Sequence, residues 1–235
     1  MNTTQPTPDR RSMRTYKLLP AFAGIFAAVL VLTNVLNTKI FSVLGFNFPA
    51  GILTFPISFL IADALTEVYG YAITRRVIWI GFATLVFMAL VLQAVIDLPP
   101  AAFWKYQDAF AALFTQIPRI VLASILAYAV GEFCNSYVLA RSKVRTDGHG
   151  MPLRFVSSTV VGQAADTVVF MTIAFLGVFP AGTMLTLFLS SWLLKVVWEV
   201  VALPLSLPLV RAVKRIESED YFDRTTKFNP FRLGE

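Results

Sequence analysis

Six apolar runs, each long enough to cross a bilayer as a helix, dominate this sequence of 235 residues. A transmembrane helix needs about 20 mostly apolar residues, because the hydrocarbon core is about 30 Å thick. Only 14% of the residues are charged, against roughly 25% in soluble domains. The sequence therefore predicts an all-α integral membrane protein with six transmembrane helices, over residues 18–38, 49–70, 77–97, 119–140, 156–178 and 184–210.

The polar segments divide the chain into three predicted regions. Residues 1–16 are expected to form a disordered cytoplasmic tail, 17–211 the six-helix transmembrane domain, and 212–235 a solvated cytoplasmic C-terminal tail. Between the third and fourth spans, residues 98–118 mix aromatic and polar side chains. This mixture predicts a short helix lying in the membrane interface.

The basic residues indicate the orientation in the membrane. If the N-terminus is cytoplasmic, 16 of the 20 Lys and Arg residues fall on the cytoplasmic side of a six-span chain. Cytoplasmic loops carry such an excess of positive charge. Both termini are therefore predicted to be cytoplasmic, and the net charge of +6 is explained without a nucleic-acid partner.

Several kinds of site are incompatible with this composition. Cys134 is the single cysteine and His149 the single histidine, so the chain has no internal disulfide, no cysteine zinc cluster and no intramembrane His-based centre. It also has no Gly-rich phosphate loop and no serine with a nearby base. We therefore predict neither an enzyme nor a bound metal or cofactor.

Two carboxylates lie inside the second apolar run, Phe48–Tyr71. A charge at membrane depth costs about 2.5–3.5 kcal/mol on insertion scales, so it usually marks a pathway or a binding site. Asp63 and Glu67 are four residues apart, which places them on one helical face. Such a pair needs a neutralising partner: a proton, a cation or hydrogen-bond donors of a ligand. The alternative is a pair satisfied within the helix bundle.

Other predicted spans also carry polar residues, usually paired at helical spacing. Asn135 and Gln163 are candidates for ligand binding, or alternatively for ordinary hydrogen bonds between helices. Lys195 and Glu199 could neutralise each other on one face. The complete set is Asn34 in the first span, Asp63 and Glu67 in the second, Glu132 and Asn135 in the fourth, Gln163 and Asp166 in the fifth, and Lys195 and Glu199 in the last.

The depth of this set favours one shared site. Asp63, Glu132, Asp166 and Glu199 each lie 9–12 residues from the arginine that flanks their span, or about 14–18 Å along a helix, which is near the bilayer midplane. Transporters hold substrates and coupling ions at this level. Five carboxylates against one lysine give a formal charge of −4, so some must be protonated or paired with a bound donor. Asn34, nearer the outer end, suits an entrance.

The residue types indicate the chemistry of the ligand. Carboxylates accept parallel hydrogen bonds from a guanidine-like edge, amides match a ring carbonyl and N–H, and aromatic rings such as Trp198 stack on a base. A purine-like base with a 2-amino group fits these features, and so does a small cation.

Six stretches of the sequence resemble the queuosine precursor transporter family, also called the vitamin uptake transporter family. They are NVLNTKIF, FPAGILTFPISFLIADALTEVYGY, RRVIWIGF, GEFCNSYVLARSKVRT, STVVGQAADTVVF and LLKVVWEV. The resemblance implies import of 7-cyano-7-deazaguanine or 7-aminomethyl-7-deazaguanine, a deazapurine partner, across the bacterial inner membrane for tRNA modification. It does not identify the precursor.

Two alternatives and two properties stay open at this stage. The chain could be the substrate-binding subunit of an energy-coupled vitamin importer, which needs an ATPase partner, or a proton-coupled transporter of another small base or vitamin. Proton coupling is suggested by the excess of carboxylates alone. A homodimer is plausible because a bundle of six spans is small.

Overall fold

The computed structural model describes residues 15–36, 38–43, 46–115, 118–175, 181–224 and 226–231. Residues 1–14 of the predicted N-terminal tail lie outside the described residues. The chain is predominantly helical, as predicted. Its elements are α1 (Leu19–Leu36), β1 (Ile40–Val43), β2 (Phe46–Pro49), a 3₁₀ turn (Ala50–Leu53), α2 (Phe55–Tyr69), α3 (Tyr71–Asp97), α4 (Gln107–Thr115), α5 (Pro118–Arg145), α6 (Met151–Phe175) and α7 (Ala181–Glu217).

A two-stranded antiparallel hairpin corrects the all-α prediction. It pairs β1 with β2, with Ile40 opposite Pro49 and Val43 opposite Phe46. Ile, Val and Phe favour strands, and Pro49 ends the second strand, a position where its missing N–H is tolerated. The predicted second span therefore begins later than expected, at Phe55.

Length and composition confirm only some of the six predicted spans. Among the described residues, α1, α3 and residues 151–173 of α6 are long and apolar enough, and a bent pair within α7 raises the number to four. Helix α2 has only 15 residues. The predicted helix between the third and fourth spans is present as α4, preceded by exposed Phe103, Trp104 and Tyr106.

Helix α7 is bent at its centre. Its parts Trp192–Trp198 and Val200–Glu217 meet at 41°. Pro204 lies inside the helix, where it has no N–H to offer the carbonyl four residues earlier and its ring clashes with that carbonyl. The bend therefore lies one turn before this proline, as expected for a proline kink.

Glycine allows α5 and α6 to cross at close range. A Cβ added to Gly131 would lie 2.6 Å from the Cβ of Asp166, and one added to Gly162 would lie 2.6 Å from the Cβ of Asn135. Small residues permit this kind of backbone approach between membrane helices. The crossing brings Asn135 and Asp166 into the contact between the two helices.

The ends of several helices meet on one side of the bundle, which we call the charged face. It comprises the start of α1, the α2–α3 junction, the loop between α5 and α6, and the end of α7. Glu217, the last residue of α7, accepts hydrogen bonds from the backbone N–H groups of Lys17 and Leu18 at 3.1 and 2.5 Å and from the hydroxyl of Tyr69 at 3.0 Å. A carboxylate at this position is also favoured by the N-terminal end of the α1 dipole.

Residues 218–224 and 226–231, part of the predicted solvated tail, contact the charged face, although several of them are exposed. The carboxylate of Asp223 accepts the backbone N–H of Tyr71 at the start of α3. The Arg75 guanidinium donates to the carbonyls of Lys227 and Asn229 at 3.0 and 2.6 Å. This segment closes over Gly70, whose φ of +82° favours glycine and where a Cβ would lie 2.4 Å from the Tyr221 ring.

Candidate functional site

A buried hydrogen bond joins α2 to α5 in the interior of the bundle. The amide nitrogen of Asn135 donates to Asp63 Oδ1 at 2.6 Å, and neither side chain is exposed. These two residues, predicted from separate spans, are therefore brought together.

Helix α5 presents a row of polar groups toward the same region. Tyr128, Glu132 and Ser136 are spaced by four residues and all three are buried, so they share one face. The Ser136 hydroxyl donates to Glu132 Oε1 at 3.4 Å and accepts a hydrogen bond from Thr66 at 3.1 Å. In the part of the chain that the structure describes, no cation pairs with Glu132.

Helix α6 carries a second row, formed by Thr159, Gln163 and Thr167 at the same spacing of four. All three are at most 2% exposed. Gln163 follows Gly162, where an added Cβ would meet Asn135, so Gln163 is next in sequence to the closest approach of the two helices. The sequence interpretation named Gln163 and missed both threonines, although the four-residue spacing was the signal that could have found them.

Asp166 and Lys195 form an ion pair between α6 and α7, through Oδ2 and Nζ. The Lys195 ammonium also lies 4.8 Å from the centre of the Phe55 ring, a cation–π contact. Asp166 is in addition within electrostatic range of Glu132. The partner of Lys195 is thus a carboxylate on the neighbouring helix; the side chain of Glu199 lies outside the described residues.

Several buried polar atoms in this region have no hydrogen-bond partner among the described residues. Three are acceptors of the predicted site, Glu132 Oε2, Asn135 Oδ1 and Gln163 Oε1, and three are the hydroxyls of Tyr128, Thr159 and Thr167. Buried polar groups are nearly always hydrogen-bonded, so each exception calls for water, an ion or a ligand. The six atoms lie on α5 and α6, and the side chains of Tyr128 and Asn135 are close enough to interact with Glu132.

Aromatic rings form one wall of this region. The ring of Tyr128 lies 5.5 Å from that of Phe59 and 5.9 Å from that of Phe82, in edge-to-face geometry, and Phe55 lies 4.9 Å from Phe59. Offset and edge-to-face contacts of this kind stabilise aromatic clusters. The wall places apolar faces next to polar groups, as in typical small-molecule sites.

Glu67 belongs to a different cluster, at the charged face. Its carboxylate makes a bidentate contact with Arg154 at 2.5 and 2.8 Å and contacts Lys214 at 2.7 Å. Lys143 lies 3.7 Å from the same carboxylate and donates to the Glu67 carbonyl. We call Glu67, Lys143, Arg154, Lys214 and Asp220 the ion cluster. Glu67 is thus surrounded by protein cations, about one helical turn from Asp63.

Asp220 connects the ion cluster to the C-terminal segment, at 2.5 Å from Lys143 and 2.9 Å from Lys214. Burial raises the pKa of this carboxyl, but the hydrogen bonds from both lysines outweigh burial, so the pKa is lowered. The same balance holds for Glu217. Burial raises its pKa, but the hydrogen bonds from the N–H groups of Leu18 and Lys17 outweigh burial, so the pKa is lowered.

We call Asp63, Tyr128, Glu132, Asn135, Thr159, Gln163, Asp166 and Thr167 the buried set. Two predicted site residues lie apart from it. Asn34 is half-buried on α1 and donates to the carbonyl of Leu30 at 3.0 Å. Trp198 is 39% exposed on α7. In the described part of the chain, no group of three or more His, Cys, Asp or Glu side chains is arranged to hold a metal ion.

The comparisons with known proteins identify a family. The family described as "Putative vitamin uptake transporter" matches residues 49–208, which include every element of the buried set. No solved structure matches the chain.

Three curated relatives share a common description. A "Probable queuosine precursor transporter" of Bacillus subtilis is 33% identical over 74% of this chain and 76% of its own length. The "Queuosine precursor transporter" of Escherichia coli is 29% identical over 68% and 70%. A "Probable queuosine precursor transporter" of Haemophilus influenzae is 31% identical over 56% and 53%. The relatives are named as transporters rather than enzymes, and the resemblance inferred from the sequence is confirmed. The chain belongs to the vitamin uptake transporter family.

Proposed function

We propose that this protein imports queuosine precursors, 7-cyano-7-deazaguanine or 7-aminomethyl-7-deazaguanine, across the bacterial inner membrane. The names of its relatives support this substrate class. The observation that carries the proposal is the set of buried oxygens without partners, Glu132 Oε2, Asn135 Oδ1 and Gln163 Oε1. They are acceptors in an interior position, and they need donors.

A deazaguanine base supplies those donors. Its ring N–H, its 2-amino group and its pyrrole N–H are all donors on one flat molecule, and carboxylate and amide oxygens accept from such groups. The hydroxyls of Tyr128, Thr159 and Thr167 can donate to the ring carbonyl or accept as required. The aromatic wall of Phe55, Phe59 and Tyr128 offers apolar contact for the ring.

The membrane topology belongs to the same proposal. Six spans place the charged face in the cytoplasm, with both termini on that side. The contact of Glu217 with Lys17 and Leu18 supports this arrangement, because it holds the start of α1 and the end of α7 together. The basic residues of the ion cluster are on the cytoplasmic side in this orientation, as the excess of positive charge in cytoplasmic loops requires.

Proton coupling is the third part of the proposal. Among the described residues, Asp63, Glu132 and Asp166 share the interior with the cation Lys195, which already pairs with Asp166. A carboxylate without a cation is costly in a low dielectric, so Glu132 is the group that we assign to carry a proton during transport; the protonated carboxyl still has an oxygen that accepts from the base. If the rate of uptake does not change with an imposed pH gradient, the proposal of proton coupling is refuted and the proposed substrate is unaffected.

The test of transport uses cells that cannot synthesise the precursor, supplied with it from outside. Glu132→Gln and Asp166→Asn should each lower uptake at least tenfold at matched expression, whereas Asp97→Asn, an exposed carboxylate at the end of α3, should not. Undiminished uptake by both site variants refutes the site.

The purified chain in liposomes decides two remaining points. Transport by the chain alone excludes an obligatory ATPase subunit, and so separates this proposal from a subunit of an energy-coupled importer. Native mass measurement of the same sample tests the proposed homodimer.

A further inference from the structure

The hydrogen bond between Asp63 and Asn135 determines the orientation of the Asn135 amide. An ionised carboxylate only accepts hydrogen bonds, whereas an amide has a donating NH₂ group and an accepting oxygen. Beside Asp63, the amide of Asn135 must therefore present its nitrogen, and the 2.6 Å contact is between Asn135 Nδ2 and Asp63 Oδ1. The oxygen of Asn135 is consequently directed away from Asp63, and it is one of the atoms without a partner.

The backbone of Asn135 leaves little freedom besides this choice. A Cβ built on Gly162 would lie 2.6 Å from the Cβ and 3.2 Å from the Cα of Asn135. The residue is thus packed directly against the backbone of α6 and cannot shift toward it. The rotation of the amide about its last bond then depends on its neighbours: Asp63 accepts from its nitrogen at 2.6 Å, and Glu132 on the same helix also interacts with the amide.

The result is a group of three buried oxygens, which we call the acceptor array, and each of them needs a hydrogen-bond donor. Asn135 Oδ1, Gln163 Oε1 and Glu132 Oε2 are all oxygen acceptors, and all are buried. A ligand edge with several N–H donors satisfies them, whereas an edge with ring nitrogen or carbonyl acceptors would leave them unpaired. Leaving a buried acceptor unpaired costs about 1–3 kcal/mol, and sites built in this way reject analogues that lack the donor.

We propose that Asp63 is a positioning residue for substrate specificity: it holds the Asn135 oxygen toward the site, which therefore selects bases that present a 2-amino-pyrimidinone edge. This inference rests on the proposed function, and it adds the structural basis of selectivity. Asp63 acts through Asn135 and does not itself contact the base.

If the bond between α2 and α5 had only a structural role, a different effect on ligand affinity would be expected. Losing such a bond loosens the site for every ligand alike, so affinities fall together and their ratio is unchanged. A positioning residue changes the ratio, because the freed amide can turn its NH₂ group to a ligand acceptor. The ratio of two affinities is therefore the diagnostic quantity.

The experiment measures binding to the purified protein by calorimetry, with two probes. One is 7-cyano-7-deazaguanine, and the other is the same base with hydrogen in place of the 2-amino group. The wild-type protein should prefer the first by about 10–100-fold. Asp63→Asn should reduce the preference to about threefold or less. An asparagine at this position can either donate to or accept from the Asn135 amide, so it no longer fixes the orientation of that amide. Asp97→Asn is the matched control and should keep the wild-type ratio.

A swapped pair completes the test and does not depend on the single variant being folded. In Asp63→Asn/Asn135→Asp, the new amide donates to the new carboxylate, whose other oxygen still accepts toward the site, so the preference should return. An unchanged ratio in Asp63→Asn, or a lost preference in the swapped pair, overturns the inference. Failure of the wild-type protein to bind either base would instead overturn the proposed function, and this inference with it.

Discussion

The ion cluster makes a quantitative prediction about stability. Glu67 is fully buried and its carboxylate contacts Arg154, Lys214 and Lys143 at 2.5–3.7 Å, so it connects α2 to α5, α6 and α7. Replacing it by glutamine removes the negative charge and leaves Arg154, which is 2% exposed, without its carboxylate, while Lys143 and Lys214 keep only Asp220. Breaking a buried ion pair from one side costs about 3–5 kcal/mol.

The measurement is thermal unfolding of purified Glu67→Gln. For a chain of this size, 1 kcal/mol corresponds to about 2–4 °C, so Tm should fall by about 6–20 °C. Added salt should change this difference little, because buried charges are poorly screened. Ligand affinity of the folded variant should stay near the wild-type value, since Glu67 lies outside the acceptor array.

An exposed pair provides the matched control. Arg224 and Asp147 are 2.6 Å apart with side chains 61% and 73% exposed, and exposed pairs contribute about 0–1 kcal/mol. Asp147→Asn should therefore lower Tm by no more than a few degrees. If Glu67→Gln lowers Tm no more than Asp147→Asn, the structural role assigned to the ion cluster is refuted.

Two further predictions concern pH and helix packing. Folding lowers the pKa values of Asp220 and Glu217, so the stabilisation from these carboxylates is complete above about pH 4.5 and is lost as the pH falls through the lower folded-state values. Between pH 6 and pH 3, Tm should therefore fall less steeply in Asp220→Asn than in the wild-type protein. An equal slope in the two proteins would contradict this linkage. Gly162→Ala should cost about 1–3 kcal/mol through overpacking against Asn135, whereas Gly24→Ala, inside α1 where a Cβ meets nothing within 4 Å, should not lower Tm and should raise it by about 2–4 °C, because alanine is the better helix former.

Local pattern in the sequence was sufficient to locate most of the buried set. Asp63, Glu132, Asn135, Gln163 and Asp166 were found because polar residues inside apolar runs are costly unless they have a purpose. Helical spacing then predicted their faces, and flanking charges their depth. The same reasoning overlooked Thr159 and Thr167, because threonine is too common in membrane helices to attract notice.

Partners distant in the sequence were not predictable in the same way. Asp63 and Glu67 share a helical face, yet Asp63 binds Asn135 while Glu67 binds Arg154 and Lys214, 87 and 147 residues away. The basic residues were interpreted as topology markers, and nothing in their local sequence indicated that they would neutralise a buried carboxylate.

The hairpin and the C-terminal segment were missed for related reasons. The strand residues 40–43 and 46–49 continue an apolar run, so hydropathy alone does not distinguish them from helix. The C-terminal segment, described over residues 218–224 and 226–231, is polar and short, and its contacts depend on Arg75 and Gly70, more than 140 residues earlier. Composition predicts exposure for such a segment, whereas the tertiary contacts bury Asp223.

The most direct test of the central claim is an experimental structure with 7-cyano-7-deazaguanine bound. The account predicts that N–H groups of the base lie within hydrogen-bond distance of Asn135 Oδ1, Gln163 Oε1 and Glu132 Oε2, with the Asn135 nitrogen still on Asp63. A base bound elsewhere, with these oxygens satisfied by water or by neighbouring side chains, would contradict it.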